Sequence, residues 1–141
     1  WGVAFSRQGD AIATASADRT VNLWSSEGKL IKTLSGHTNI VMDVQFGNYD
    51  DSLLFSASED KTIKVWHDGQ LAMTLIGHSG GINALSLRNS TLISGSADGK
   101  VVLWNTDLLT LENMLREGCV WAEQYFQTQT TKPNPCKNLK H

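Results

Sequence analysis

The sequence predicts an all-β chain: about three four-stranded antiparallel sheets stacked face to face. Three observations predict it. An eleven-residue segment occurs three times, at residues 14–24, 56–66 and 94–104, each closing on tryptophan: Trp24, Trp66 and Trp104. Around these segments, short period-2 stretches are broken by Gly, Asp, Asn and Ser every eight to twelve residues, the mark of antiparallel strands. The composition agrees. Thirteen Ser, 12 Thr and 12 Gly stand against two Pro, with five Trp and only 18% charged residues, a mix that favours strands and tight turns.

The elements follow in order. Val3-Ala4-Phe5 is a short alternating strand that recurs as Val44-Gln45-Phe46 and Leu85-Ser86-Leu87. The middle unit displays all four strands, at 40–46, 53–58, 62–66 and 71–76. Turns at 48–52, Glu59-Asp60-Lys61 and Asp68-Gly69-Gln70 separate them. Gly36-His37 opens this unit and Gly77-His78 opens the next. The units run 1–35, 36–76 and 77–107; the first begins inside its first strand, and the third shows no fourth strand after Trp104. One such sheet cannot bury both faces alone, so a period near 40 residues implies stacking. From residue 108 to 127 the spacing turns helical through Leu111, Met114, Leu115, Cys119, Ala122 and Phe126, with Thr110 as N-cap. Residues 128–141, with Pro133 and Pro135, read as a flexible tail.

On the strength of the three Trp-ending segments and the two Gly-His pairs, residues 1 to about 107 resemble a WD40-repeat β-propeller. The dipeptide that names the family is Trp24-Ser25, Trp66-His67 and Trp104-Asn105 here, so each repeat lacks the Asp. The resemblance implies a partial propeller of about three blades, the C-terminal part of a longer chain of the bacterial type, followed by a short helical extension. It also implies a role in protein–protein interaction rather than catalysis.

Charge and motifs exclude other classes. A net charge of −2 offers no basic surface to nucleic acid. No apolar run approaches the ~20 residues of a membrane span. No glycine-rich phosphate loop precedes a helix, and His67, Cys119, Cys136 and His141 lack metal-ligand spacing. No cofactor or metal is expected. Two cysteines are too few for a disulfide scaffold, which points to a cytoplasmic chain.

Ser, His and Asp do fall together in the middle repeat as His37, Ser58 and Asp60, beside Trp66. A hydrolase would need such a set. It recurs, however, in the next repeat as His78, Ser96, Asp98 and Trp104, and an active site rarely duplicates at a structural period. The indole N–H is donor-only, which suits a closed chain from Trp to Ser to His to Asp. The family resemblance implies that this tetrad ties strands together, with Ser56 or Ser94 able to replace Ser58 or Ser96. The first repeat has Ser16, Asp18 and Trp24 but no His.

Carried over from the family, partner contacts fall three and five residues after the repeat's His and just before the turn Asp. Those positions are Ile40, Met42 and Glu59 in the middle repeat and Gly81, Asn83 and Ala97 in the third. Trp1 aligns with Met42. Trp1, Ile40 and Met42 would form an apolar cluster of the kind enriched at interface cores. Three readings follow: an interaction scaffold with protein partners, a regulatory segment of a larger signalling ATPase or kinase, and a self-assembling fragment. Because Val21, Leu23, Ile63, Val65, Val101 and Leu103 make the third strands apolar opposite the tetrad side, the chain made alone is expected to self-associate.

Overall fold

A computed structural model describes residues 1–109. Eleven strands form three antiparallel sheets. The first contains β1 (Val3–Phe5), β2 (Ala11–Ala15), β3 (Thr20–Ser25) and β4 (Leu30–Ser35). The second contains β5 (Val41–Phe46), β6 (Leu53–Ser58), β7 (Thr62–His67) and β8 (Gln70–Ile76), and the third β9 (Ile82–Arg88), β10 (Thr91–Ser96) and β11 (Val101–Asn105). Strand order follows chain order in each sheet, as successive hairpins require. A 3-10 turn over Thr106–Leu109 follows. Contacts divide the chain into Trp1–Trp104, which carries the sheets, and Asn105–His141. The helix expected over 108–127 and the tail 128–141 lie outside the described residues, apart from Leu108 and Leu109 in the 3-10 turn. So do Cys119 and Cys136.

Turn chemistry sets the hairpins. Asp68 and Gly69 join β7 to β8 with φ of 50° and 69°, the positive pair that a two-residue type I′ turn needs. At the β2–β3, β6–β7 and β10–β11 turns the residue after the aspartate has φ of 75°, 72° and 77°. Arg19, Lys61 and Gly99 fill these three equivalent places, and only the glycine does so without a steric cost.

Burial follows stacking. Ala13, Ala15, Val21 and Leu34 of the first sheet meet Val41, Val44, Leu54 and Trp66 of the second in one cluster, with Ala4, Leu23 and Phe46 at its edge. On its other side the second sheet buries Phe55, Ile63 and Val65, and the third sheet buries Ile82 and Leu92. Asp43 bridges two inner strands, accepting the Leu85 N–H at 2.7 Å.

Candidate functional site

The period-2 register decides which side chains meet at each tryptophan. In the second sheet Trp66 pairs with Leu54 and Lys64 with Ser56. The indole on β7 therefore reaches diagonally to the residue ten positions earlier on β6. Trp66 Nε1 donates to Ser56 Oγ at 2.8 Å, His37 Nε2 lies 2.8 Å from the same oxygen, and His37 Nδ1 lies 2.7 Å from Asp60 Oδ2. Indole N–H only donates and carboxylate only accepts, so the bonds run one way. The Ser56 hydroxyl donates to His37 Nε2, and His37 Nδ1–H donates to Asp60. This direction requires a neutral imidazole.

The third sheet repeats the arrangement. Trp104 Nε1 donates to Ser94 Oγ at 2.9 Å, His78 Nε2 is 2.8 Å from that oxygen, and His78 Nδ1 is 3.0 Å from Asp98 Oδ2. Ser56 and Ser94 are fully buried.

Two expectations are corrected here. Ser58 and Ser96 do not join histidine to tryptophan. Ser58 Oγ donates to the Asn39 carbonyl at 3.1 Å and accepts the Asp60 N–H. Ser96 Oγ lies 2.9 Å from the Gly81 carbonyl and accepts the Asp98 N–H. Both sit at the turn, beyond the reach of an indole whose cross-strand partner lies four residues earlier. In the first sheet, likewise, Trp24 Nε1 donates to Thr14 Oγ1 at 2.9 Å, and Ser16 Oγ instead accepts the Asp18 N–H at 3.3 Å. The signal was present in the repeat: Thr14, Ser56 and Ser94 each stand ten residues before their tryptophan.

The aspartates hold the tight turns. Asp60 Oδ1 accepts the N–H and hydroxyl of Thr62 at 3.0 and 2.6 Å, and Oδ2 accepts the Thr38 N–H at 3.0 Å in addition to His37. Burial works to raise the Asp60 pKa, but these hydrogen bonds outweigh it and the carboxyl stays below its usual range. Asp98 behaves alike: burial opposes, and the N–H groups of Ser79 and Lys100 with His78 prevail, so its pKa is lowered. For His37 burial is the largest influence and lowers the imidazole against the pull of Asp60. Asp18 is exposed; its Oδ1 accepts the hydroxyl and N–H of Thr20 at 2.6 and 2.9 Å, and these bonds lower its pKa. Glycine before each histidine is a packing requirement, since a Cβ on Gly36 would come within 3.2 Å of Trp66 Cη2 and one on Gly77 within 2.9 Å of Trp104 Cη2.

The residues expected to meet partners sit at the same end of the strands as these turns. Trp1 is 79% exposed, and its amino group donates to the Ala15 carbonyl. Gly2 lies against Met42 and Asp43. Ile40 and Met42 are half-buried, and Glu59 and Asn83 are exposed. The Glu59 N–H donates to the Ile40 carbonyl at 3.0 Å. Among the described residues, no three His, Cys, Asp or Glu side chains group as a metal site. No helix there is long and apolar enough to cross a membrane.

Comparison with known proteins gives a consistent result. The family described as WD domain, G-beta repeat matches residues 1–25, 28–67 and 69–105. The chain is 36% identical over 110 residues to nuclear distribution protein nudF 1 of Talaromyces marneffei, covering 73% of this chain and 24% of that protein. It is 37% identical over 106 residues to WD repeat and SOCS box-containing protein 1 of Danio rerio, covering 71% and 25%. It is 30% identical over 139 residues to nuclear distribution protein PAC1 of Arthroderma benhamiae, covering 88% and 30%. The chain thus spans less than a third of the length of these relatives.

Proposed function

The chain belongs to the WD40 family of G-beta repeats, and from that premise we propose that it is a non-catalytic scaffold for protein–protein interaction. The tetrad carries the reading. A nucleophilic serine needs a free hydroxyl facing substrate. The Ser56 oxygen instead lies between an indole N–H and an imidazole, fully buried, and the same closed set recurs at Ser94. These groups satisfy one another and lock β6, β7 and the entering loop, the role of a connected buried network. The partner surface in this reading is the turn-bearing end, with Trp1, Ile40 and Met42 as apolar anchors and Glu59 and Asn83 as polar neighbours. Photo-crosslinkers placed at Met42 and at the remote Lys29 test it. Capture of one defined protein from Met42 alone is expected, and equal capture from both positions would reject the surface.

A specific observation favours a second activity, self-association. Val3, Val44 and Leu85 are equivalent, as are Leu23, Val65 and Leu103. Val44 and Leu85 are buried while Val3 is 63% exposed, and Val65 is fully buried while Leu103 is 66% exposed. The uncovered faces are the same two surfaces that pack together inside the stack. Head-to-tail stacking of copies therefore buries them in the pairing already used between sheets. Sedimentation of the 141-residue chain should show species heavier than one chain; a stable monomer at high concentration would remove this reading.

A further inference from the structure

The opposite end of the strands carries a second concave surface, built from the same corner in each repeat. Phe5-Ser6-Arg7, Phe46-Gly47-Asn48 and Leu87-Arg88-Asn89 end the three inner strands. Most of these residues line one cleft of about 400 Å³. Phe46 and Leu87, half-buried, and Phe5, 66% exposed, give the lining its apolar part. Arg7 and Arg88 line the cleft, and among the described residues no acidic side chain does. Both arginines are exposed. Among the described residues the ion pairs all involve histidine, which leaves the two guanidiniums open to a ligand.

The walls are held by bonds between neighbouring repeats. The Arg7 N–H donates to Asp51 Oδ1 at 3.0 Å, and Asn48 Nδ2 donates to the Asn89 carbonyl at 3.1 Å. Gly47 keeps the corner tight, because a Cβ there would meet the Asp50 carbonyl oxygen at 2.5 Å. A cleft fixed in this way loses little conformational freedom on binding.

We propose that this cleft binds an acidic peptide segment of a protein partner. Its carboxylates pair with Arg7 and Arg88, and an intervening apolar side chain sits on Phe5, Phe46 and Leu87. Guanidinium forks match carboxylates two bonds at a time. Three hydrocarbon side chains give a bare phosphate nothing to bury, and two cations on a chain of net charge −2 are few for a nucleic-acid backbone. The site is remote from Trp1 and Met42 along the strands, so it stands or falls independently of the partner surface proposed above.

The test uses the 141-residue chain and a fluorescein-labelled eight-residue peptide alternating glutamate with leucine, read by anisotropy at one fixed ionic strength. Binding is expected to weaken at least tenfold in Arg7→Gln/Arg88→Gln compared at the same protein concentration. It should weaken about threefold in Arg7→Lys/Arg88→Lys, which keeps the charge and loses the fork, and stay unchanged in Met42→Ala. A melting curve matching the unsubstituted chain shows that each variant is folded. Failure of the unsubstituted chain to bind the peptide overturns the proposal. So does unchanged affinity in the glutamine variant, equal binding of a lysine–leucine peptide, or displacement by inorganic phosphate or a thymidine oligonucleotide at equal concentration.

Discussion

The second sheet and its two neighbours carry nearly the same residues at the same places, yet they differ in what those residues do. Val65 on β7 is fully buried, and Leu103, its counterpart on β11, is 66% exposed. Val44 on β5 is fully buried, and Val3 on β1 is 63% exposed. Trp66 is 2% exposed and tied into a four-member chain, whereas Trp24 has Thr14 as its bonding partner. Side-chain chemistry is constant across these pairs and cover is not. Burial in a stacked repeat is therefore a property of position in the stack, and among the described residues the middle sheet packs against a sheet on each side.

That contrast predicts its own largest effect. Val65→Asp buries an unpaired carboxylate and is expected to abolish folding, because the cost is several kcal/mol against a total of about 5–15. Leu103→Asp places the same charge in water, so its melting in dilute solution should stay within ~0.5 kcal/mol of the parent, while its sedimenting mass falls. Equal destabilisation by both substitutions would mean that β11 is covered and the comparison is false.

The aspartates give the next effect. Asp60→Ala strips an acceptor from His37, from the Thr38 N–H and from Thr62, and should cost about 3 kcal/mol in chemical unfolding. Asp18→Ala, in the turn that lacks a histidine, should move the transition far less. Similar losses at both sites would show that the turn, and not the tetrad, carries the stability.

Acidification sharpens the same comparison by a smaller amount. Burial holds the folded His37 below its ordinary range, so the unfolded chain takes up that proton first. The stability from this site is complete above the unfolded imidazole value of about 6.5 and is lost as pH falls below it. Asp60 is also held low, and its contribution, present above the unfolded carboxyl value of about 4, is lost as pH falls further. Melting temperature against pH should show both declines. His37→Gln should remove the upper one, and if that decline persists, its source is elsewhere.

The smallest effect concerns the turn residue at positive φ. Gly99→Lys copies Lys61 of the middle turn and should cost about 1 kcal/mol in a urea titration, the strain of a left-handed residue with a Cβ. The two neighbouring turns tolerate Arg19 and Lys61 at φ of 75° and 72°, so a loss well above that value would mark a further constraint at Gly99.

Much of the fold was legible in the residues. Expected strands at 53–58 and 62–66 meet β6 (Leu53–Ser58) and β7 (Thr62–His67), because period-2 patterning and turn residues are local signals. The third sheet has three strands among the described residues. The tetrad was legible in kind but not in its serine. Ser56 and Ser58 share a strand face, and choosing between them depends on how far an indole leans across the neighbouring strand. Thr14 was missed for the same reason. The Arg7–Arg88 cleft left no local trace, since its members lie 81 positions apart (88 − 7) in the sequence.

By itself, then, the sequence determined the repeat, the strands, the turns and the residue types of the tetrad. Each rests on spacing within about ten residues, where backbone geometry leaves few choices. The tertiary structure alone decided which hydroxyl joins histidine to tryptophan, which of the equivalent apolar residues are buried, and which corners meet around a cleft. These depend on register across strands, which brings Ser56 to Trp66 and to His37, ten and nineteen residues away, and on the neighbouring sheet, which brings together groups some forty residues or more apart.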